Sequence, residues 1–372
     1  MKPKSDCIAC LVERTKYECD IAFNDDSEKI RAMEEFIAFL MAHLGEEGKA
    51  PAFFGTERER IIKRRSGVKD PHREIKRRSN EVAKGLLSEV SDFYDAAVAK
   101  SGNKMEALVR IAAAANSMEY GVKGYFYDDD AFKDDFVHTL SEKLNWDKDV
   151  ITSAIKERNK ILYLTDNAGE VFFDAFVIRK LIELGKKVVV SPKSAPVIND
   201  ATTEDVKEAI EKVGISDSGL AKIVPSGSCI GILLEEAEEE FMDVIRKLIE
   251  LGKKEVVSPK GAPVINDATT EDVKEAIEKE GISDSGLAKI VPSGSCIGIL
   301  LEEAEEEFMD VFCDERYLVI AKGMGNYETI SEFEARAELG LSGRLIYVFR
   351  AKCEPIASNI GVKRGELVAK LV

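Results

Sequence analysis

KILYLTDNAGE, residues 160–170, carries the decision about this chain's fold. Ile161, Leu162, Tyr163 and Leu164 make a short apolar run of the kind a strand buried on both faces requires. The run passes without a linker into Asp166-Asn167-Ala168-Gly169-Glu170 and then into helical spacing that stops at Gly185. A buried strand feeding directly into a helix is the opening of a parallel βα unit.

Downstream the pattern repeats. KKVVVS (186–191), AKIVPSGS (221–228), RYLVIAK (316–322) and RLIYVFRAK (344–352) are further short strands, separated by helical stretches such as DATTEDVKEAIEKVG (200–214), which opens on capping residues. Upstream, residues 1–155 show helical spacing and almost no strand signal, with one long helix expected over 70–100 and another over 105–122. The chain therefore divides into an all-helical domain at 1–155 and a Rossmann-like α/β domain at 156–372.

One segment occurs twice. Residues 177–243 align without a gap with residues 244–310 and differ at three positions: Val188 against Glu255, Ser194 against Gly261, and Val213 against Glu280. Solenoid repeats keep a spaced pattern and let the rest drift, so near-identity along a whole unit points to a recent or deliberate duplication. Each copy encodes two strands. The expected sheet therefore has seven parallel-type strands, five without one copy. No Gly or Pro interrupts residues 233–251, which predicts a continuous helix across the junction.

The formal net charge is −16, with basic residues interspersed among acidic ones, which disfavours a nucleic-acid partner. No stretch reaches the roughly 18 apolar residues of a membrane helix, and the charged start MKPKSD lacks a signal-peptide core, so a cytoplasmic location is expected. Seven scattered cysteines suit a reducing compartment, and a single CxxC at Cys7 and Cys10 is a weak zinc signal. His43, His72 and His138 lack a catalytic-looking context.

Ligands in open α/β sheets bind beyond the carboxyl ends of the strands. Asp166 and Asn167 stand at such a tip and offer hard oxygen donors suited to Mg²⁺ or Mn²⁺, although the same residue types are favoured helix caps. Asn199 and Asp200 follow the next strand, with the same two readings. Lys322 ends RYLVIAK and leads into Gly323 and Gly325, a lysine and glycine-rich turn suited to a phosphate.

CIAC (7–10), DPHREIKRRSN (70–80), NSMEYG (116–121), TDNAGE (165–170), PVINDAT (196–202), KGMGNYET (322–329) and KCEPIA (352–357), in this order, resemble the DUF89 family of metal-dependent, or damage-control, phosphatases in its short archaeal form. The resemblance spans nearly the whole chain once one copy is set aside. It implies a helical domain on a three-layer α/β/α domain, with a divalent metal (Mn²⁺, Co²⁺, Ni²⁺ or Mg²⁺) between them. Asp166, Asn167 and Asp200 match the family's metal ligands, and Lys322 its phosphate-contacting lysine. Asp166, Asp200 and Lys322 are thereby the expected catalytic residues, and Gly323, Gly325, Asn326, Asn116 and Glu119 the expected substrate contacts; Lys76 and Asn80 are further candidates to reach the site. The implied reaction is hydrolysis of small phosphorylated metabolites, attacked either by an aspartate or by a water. A structural protein with an extended sheet and an impaired site, able to self-associate, and a carboxyl methyltransferase are the competing readings.

The family has one such unit, so either Asp200 or its duplicate Asp267 completes the site. Asp200 is the expected ligand, because its strand follows the DNAGE helix directly and a short right-handed crossover sets it beside the first strand. The return of Lys322 to Asp166 is the critical step, since the chain must first traverse the duplicated segment.

Overall fold

Ile161 and Tyr163 of one strand face one apolar core while Leu162 and Leu164 face another, the two-sided burial that a central parallel strand demands. In the computed structural model the chain is described over residues 1–46, 48–117, 129–193, 196–214, 221–223, 299, 301, 304 and 306–372, all within one unit drawn from Met1–Cys229 and Leu287–Val372.

Seven helices come first: α1 (Ser5–Ala22), α2 (Asp26–His43), α3 (Pro51–Ser66), α4 (Arg73–Gly85), α5 (Leu87–Ser101), α6 (Lys104–Ala115) and α7 (Asp129–Leu140). Then follow β1 (Leu144–Trp146), α8 (Lys148–Glu157), β2 (Lys160–Leu164), α9 (Glu170–Glu183), β3 (Lys187–Ser191), α10 (Thr203–Lys212) and β4 (Ala221–Ile223). The described chain resumes in helical form with α11 (Glu306–Phe312), β5 (Tyr317–Lys322), α12 (Gly323–Ile330), β6 (Leu345–Arg350), α13 (Glu354–Ile360) and β7 (Leu367–Leu371).

The strands form one sheet in the order β1-β7-β6-β5-β2-β3-β4, parallel throughout except for the antiparallel β6–β7 pair. Leu162 of β2 registers with Val189 of β3 on one side and Val319 of β5 on the other. The chain thus moves outward from β2 through β3 and β4, then returns to the other flank of β2. That reversal makes the carboxyl ends of β2 and β5 a topological switch point, the place where an open α/β sheet gapes.

The described strands differ in part from those expected. β1 and β7 are additions: LNW is too short to register as a periodic run, and β7 owes its place to antiparallel pairing with β6. The second copy's strands and the junction helix lie outside the described residues. The long helix expected over 70–100 is two helices, α4 and α5, parted at Leu86, whose N–H turns back to Ala83 O just after Gly85 weakens the helical run.

On one face of the sheet pack α5, α6, α8, α9 and α10. Four consecutive buried alanines, Ala112–Ala115, let α6 approach closely. The opposite face is covered by α11, α12 and α13 with Met1 and Cys7. Helices α1–α3 pack on one another, α3 also on α12 and α1 on α13, so they overhang the β2–β5–β6 tips. A nearly inaccessible bidentate pair, Arg58 to Glu18 at 2.6 and 2.8 Å, joins α3 to α1. Among the described residues, no helix is long and apolar enough to cross a membrane.

Candidate active site

The turn after β2 is organised by its own sequence. Glu170, fully buried at the start of α9, accepts the Asn167 backbone N–H at 2.7 Å and the Asn167 side-chain amide at 2.8 Å. This ties the turn to the helix and brings Asp166 to its crest. Gly169 has φ 82°, and a Cβ there would meet the Ser79 Cβ at 2.9 Å, because α4 lies directly on the turn. From α4, Asn80 Oδ1 accepts the Gly169 N–H at 2.7 Å, while its amide donates to Asp205 Oδ1 at 2.6 Å. One α4 asparagine therefore fastens the TDNAGE turn to the start of α10.

The loop after β3 is held to that turn by backbone pairing. Ala168 N–H donates to Asn199 O at 2.8 Å and Ala201 N–H to Asp166 O at 2.7 Å, so Asn167 and Asp200 form an antiparallel bridge. Thr202 and Asp205 complete a capping box on α10. It is Asp200, from the first copy, that stands beside Asp166; Asp267 lies outside the described residues. β5 pairs along β2 and so carries Lys322 into the same neighbourhood.

The loop is not at ease locally. Ile198 has φ 45°, a left-handed conformation unusual for a β-branched residue. Its N–H donates to Glu59 Oε1 of α3 at 2.8 Å; Glu59 pairs with Lys63 at 3.0 Å, and Lys63 also donates to Pro196 O. Glu59 is almost wholly buried, which pushes its carboxyl above the usual range against the pull of Lys63.

Lys322 is fully inaccessible, with Nζ 2.8 Å from Asp174 and 3.2 Å from Glu170. Burial alone would lower its pKa; Asp174 and Glu170 outweigh that and hold it protonated. Gly323, φ 81°, sits so close to Asp166 that a Cβ would fall 1.9 Å from Oδ2. Asn326 points inward, its amide donating to Thr165 O and Lys322 O, whereas Gly325 lines the cavity described next. Asn116, at the end of α6, donates to Asp166 Oδ2 at 2.8 Å and to Glu170 at 3.3 Å, and accepts the Arg350 N–H at 3.1 Å. Lys76 pairs with Asp70 at 2.6 Å. Glu119 lies outside the described residues.

Sequence reasoning assigned no role to Glu170 or Asp174. The signal was available: Asp166, Glu170 and Asp174 recur every four residues through a stretch otherwise rich in Phe and Val.

Above the tips opens a cavity of about 260 Å³, lined by Asp166, Asn167, Asp200 and Lys352 on the sheet side and by residues of α1 and α3 opposite. A larger hollow of about 480 Å³ beside β1 and β7 lacks converging carboxylates. Asp166 is held well above the usual carboxylate range by burial, Glu170 and Asp200, and Asp200 is pushed up to about 7, chiefly by burial. Glu170 goes the other way: despite its burial, Lys322, Lys352 and its N–H donors keep it ionised. Burial thus makes both carboxyls facing the cavity costly to ionise where they stand, a cost that a bound cation would offset. Two carboxylates and one amide oxygen form a hard-donor set that fits a divalent cation with open positions for water or substrate. Among the described residues, no three His, Cys, Asp or Glu side chains are gathered as a closed metal cage. Cys7, Cys10 and Cys353 line the same cavity as free thiols.

The model of a family described as the damage-control phosphatase ARMT1-like domain matches residues 4–247 and 228–368. An uncharacterized protein of Methanocaldococcus jannaschii is 26% identical over 99% of this chain and 95% of its own length. A damage-control phosphatase of Archaeoglobus fulgidus is 26% identical over the whole of both chains. A damage-control phosphatase of Pyrococcus horikoshii is 26% identical over 99% of this chain and 97% of its own. A crystal structure of a DUF89 family protein from Pyrococcus horikoshii superposes with a TM-score of 0.67 at 24% identity, over 100% of this chain and 99% of that one, a likeness of fold.

Proposed function

The chain belongs to the damage-control phosphatase ARMT1-like family, and from that premise we propose that it is a metal-dependent phosphatase of small phosphate monoesters, with Asp166, Asn167 and Asp200 holding the cation. The observation that carries this reading is the backbone bridge between Asn167 and Asp200, which sets two charge-rich strand tips side by side at the mouth of one cavity.

A divalent cation bound there would polarise the phosphoryl oxygens and lower the pKa of an attacking water. The protein's own groups do the rest. Asn116 and Asn167 donate to Asp166 Oδ2 at 2.8 and 3.0 Å and so fix the rotation of that carboxylate. Glu170 holds the Asn167 backbone and side chain together, orienting its amide. Lys322 supplies the positive charge that lets Glu170 and Asp174 stay buried beneath the site. Gly323 leaves room for the Asp166 carboxylate, and the overhang of α1 and α3 limits the space above it to small substrates.

The test is phosphate release from a broad monoester panel with Mn²⁺, Co²⁺, Ni²⁺ or Mg²⁺, for the unaltered chain, Asp166→Asn, Asp200→Asn and Asp267→Asn. The first two substitutions are expected to cut turnover by roughly a thousandfold, the third to leave it unchanged. No release from the unaltered chain under any metal would refute the reading; equal loss in the two Asp200 and Asp267 variants would refute the assignment of Asp200.

A further inference from the structure

We propose that Arg14 of α1 binds a second anionic group on the alcohol side of the substrate, so that the preferred monoesters are those whose leaving group carries a carboxylate or a further phosphate. The inference rests on the phosphatase reading and narrows it to a substrate class.

The cavity has two walls of different character. Asp166, Asn167 and Asp200 stand on the sheet side, where the reacting phosphoryl group would sit. Opposite them are Asp6, Cys7, Cys10, Leu11 and Arg14 of α1, whose spacing puts all five on one face of a helix. An ester held at the strand tips therefore projects its alcohol towards α1.

Three cations line this cavity, and two of them are committed elsewhere. Arg58 is almost wholly buried and holds Glu18 through hydrogen bonds at 2.6 and 2.8 Å. Lys352 stands two residues beyond β6 on the sheet side; burial, Glu170 and Asp200 raise the Asp166 carboxyl there, and Lys352 opposes them. Arg14 has no such commitment. Among the described residues no carboxylate pairs with it and no acceptor takes its N–H groups; its guanidinium rests 5.8 Å from the Tyr17 ring centroid, one turn further along the same helix. It is half-buried, so an anion reaching it meets a planar fork of donors from which part of the water is already excluded.

The other end of the α1 face repels an anion. Asp6 lies eight residues earlier, about 12 Å along the helix axis, too far to neutralise Arg14. Near it Glu328 lines the cavity with Cys7, Cys10 and Cys353, and after burial it is Glu328 that raises the Cys7 and Cys353 thiols. At the Arg14 end, His72 feels the arginine's charge but is kept neutral chiefly by burial. The roof is thus acidic at one end and cationic at the other, which gives a bound ester a direction: its distal anion turns to Arg14.

Kinetics on matched pairs test this. With Mn²⁺ present, kcat/KM is measured on the full chain for fructose monophosphate against fructose bisphosphate and for glycerol phosphate against phosphoglycerate, using the unaltered protein, Arg14→Gln and Arg14→Lys. The unaltered protein is expected to favour at least one member that carries the second anion. Arg14→Gln should lower kcat/KM for that member at least about tenfold, chiefly through KM, and leave its simpler counterpart within about twofold. Arg14→Lys should recover part of the loss, because the charge returns without the fork. A loss confined to the bisphosphate or to phosphoglycerate identifies the anion that is read. Equal loss on both members of each pair overturns the proposal, since it would put Arg14 on the reacting phosphoryl group or in the packing of α1. Indifference of the unaltered protein to the second anion, or no loss in Arg14→Gln, overturns it as well. If no monoester is hydrolysed, the phosphatase reading fails by itself, and calorimetric titration of the same pairs with Mn²⁺ then decides the role of Arg14 by the same comparison.

Discussion

The turn after β2 and the loop after β3 contribute to one site but are stabilised in opposite ways. The β2 turn is braced from within by Glu170, which binds the residue three before it and is neutralised by Lys322 of the adjacent strand, with Asn80 and Asn116 adding hydrogen bonds from α4 and the end of α6. The β3 loop is gripped from outside, with Ile198 in a left-handed conformation under Glu59, Pro196 under Lys63 and Asp205 under Asn80. Half of the site is thus a property of the sheet, and the other half depends on helices laid over it. A disturbance of α3 should reach Asp200 before it reaches Asp166, whereas α4 touches both loops through Asn80.

The sharpest way to break the internally braced half is Lys322→Met. It leaves Glu170 and Asp174 buried without their cation and should cost about 3–5 kcal/mol of unfolding free energy, read as a lower urea midpoint. A variant as stable as the unaltered chain would mean that the two acids are neutral in the folded protein.

Acid should soften the helical half. His72, at the entry to α4, is buried with neither ring nitrogen hydrogen-bonded among the described residues, and burial lowers its pKa from 6.5 to about 4. The unfolded chain therefore binds more protons between those values, so this residue's contribution is intact above pH 6.5 and declines as pH falls towards 4. The expected loss is about 3 kcal/mol at roughly 1.4 kcal/mol per pK unit. His72→Leu should flatten that part of the stability–pH curve without loss at neutral pH; an unchanged slope would remove His72 as its source.

Glu59→Ala should cost about 1–3 kcal/mol, since the buried Ile198 N–H loses its acceptor. More tellingly, it should weaken Mn²⁺ binding, while Glu59→Gln, able to accept the same hydrogen bond, recovers most of it. Equal Mn²⁺ affinity in all three proteins would show that the loop keeps its shape without α3. The smallest effect is expected of Asn80→Ser, about 1 kcal/mol, with increased amide exchange at Gly169.

The three strand-tip motifs were legible because each couples a strand end to residues that local rules mark: caps, glycines, a terminal lysine. The roles within them were less so. Lys322 reads as an open phosphate ligand until Glu170 and Asp174 are seen to enclose it, and enclosure depends on β5 lying against β2. Glu59 and Lys63 carry no signal at all, because they act on a loop more than a hundred residues away. The edge strand β1 and its neighbour β7 escaped notice for a related reason: three or five residues with mixed burial become a strand only when a partner supplies the hydrogen bonds.

The sequence by itself determined the α/β alternation, the family motifs and the two strand ends at which chemistry concentrates, since these rest on periodicity and capping within a few residues. The decapeptides at 196–205 and 263–272 are identical and hold identical local information, so only chain order and the short crossover after the DNAGE helix favoured Asp200 in the sequence. What the tertiary structure adds is the placement of Asp200: β3 lies next to β2, and only neighbours in a sheet can share the backbone hydrogen bonds that bring Asp200 beside Asp166.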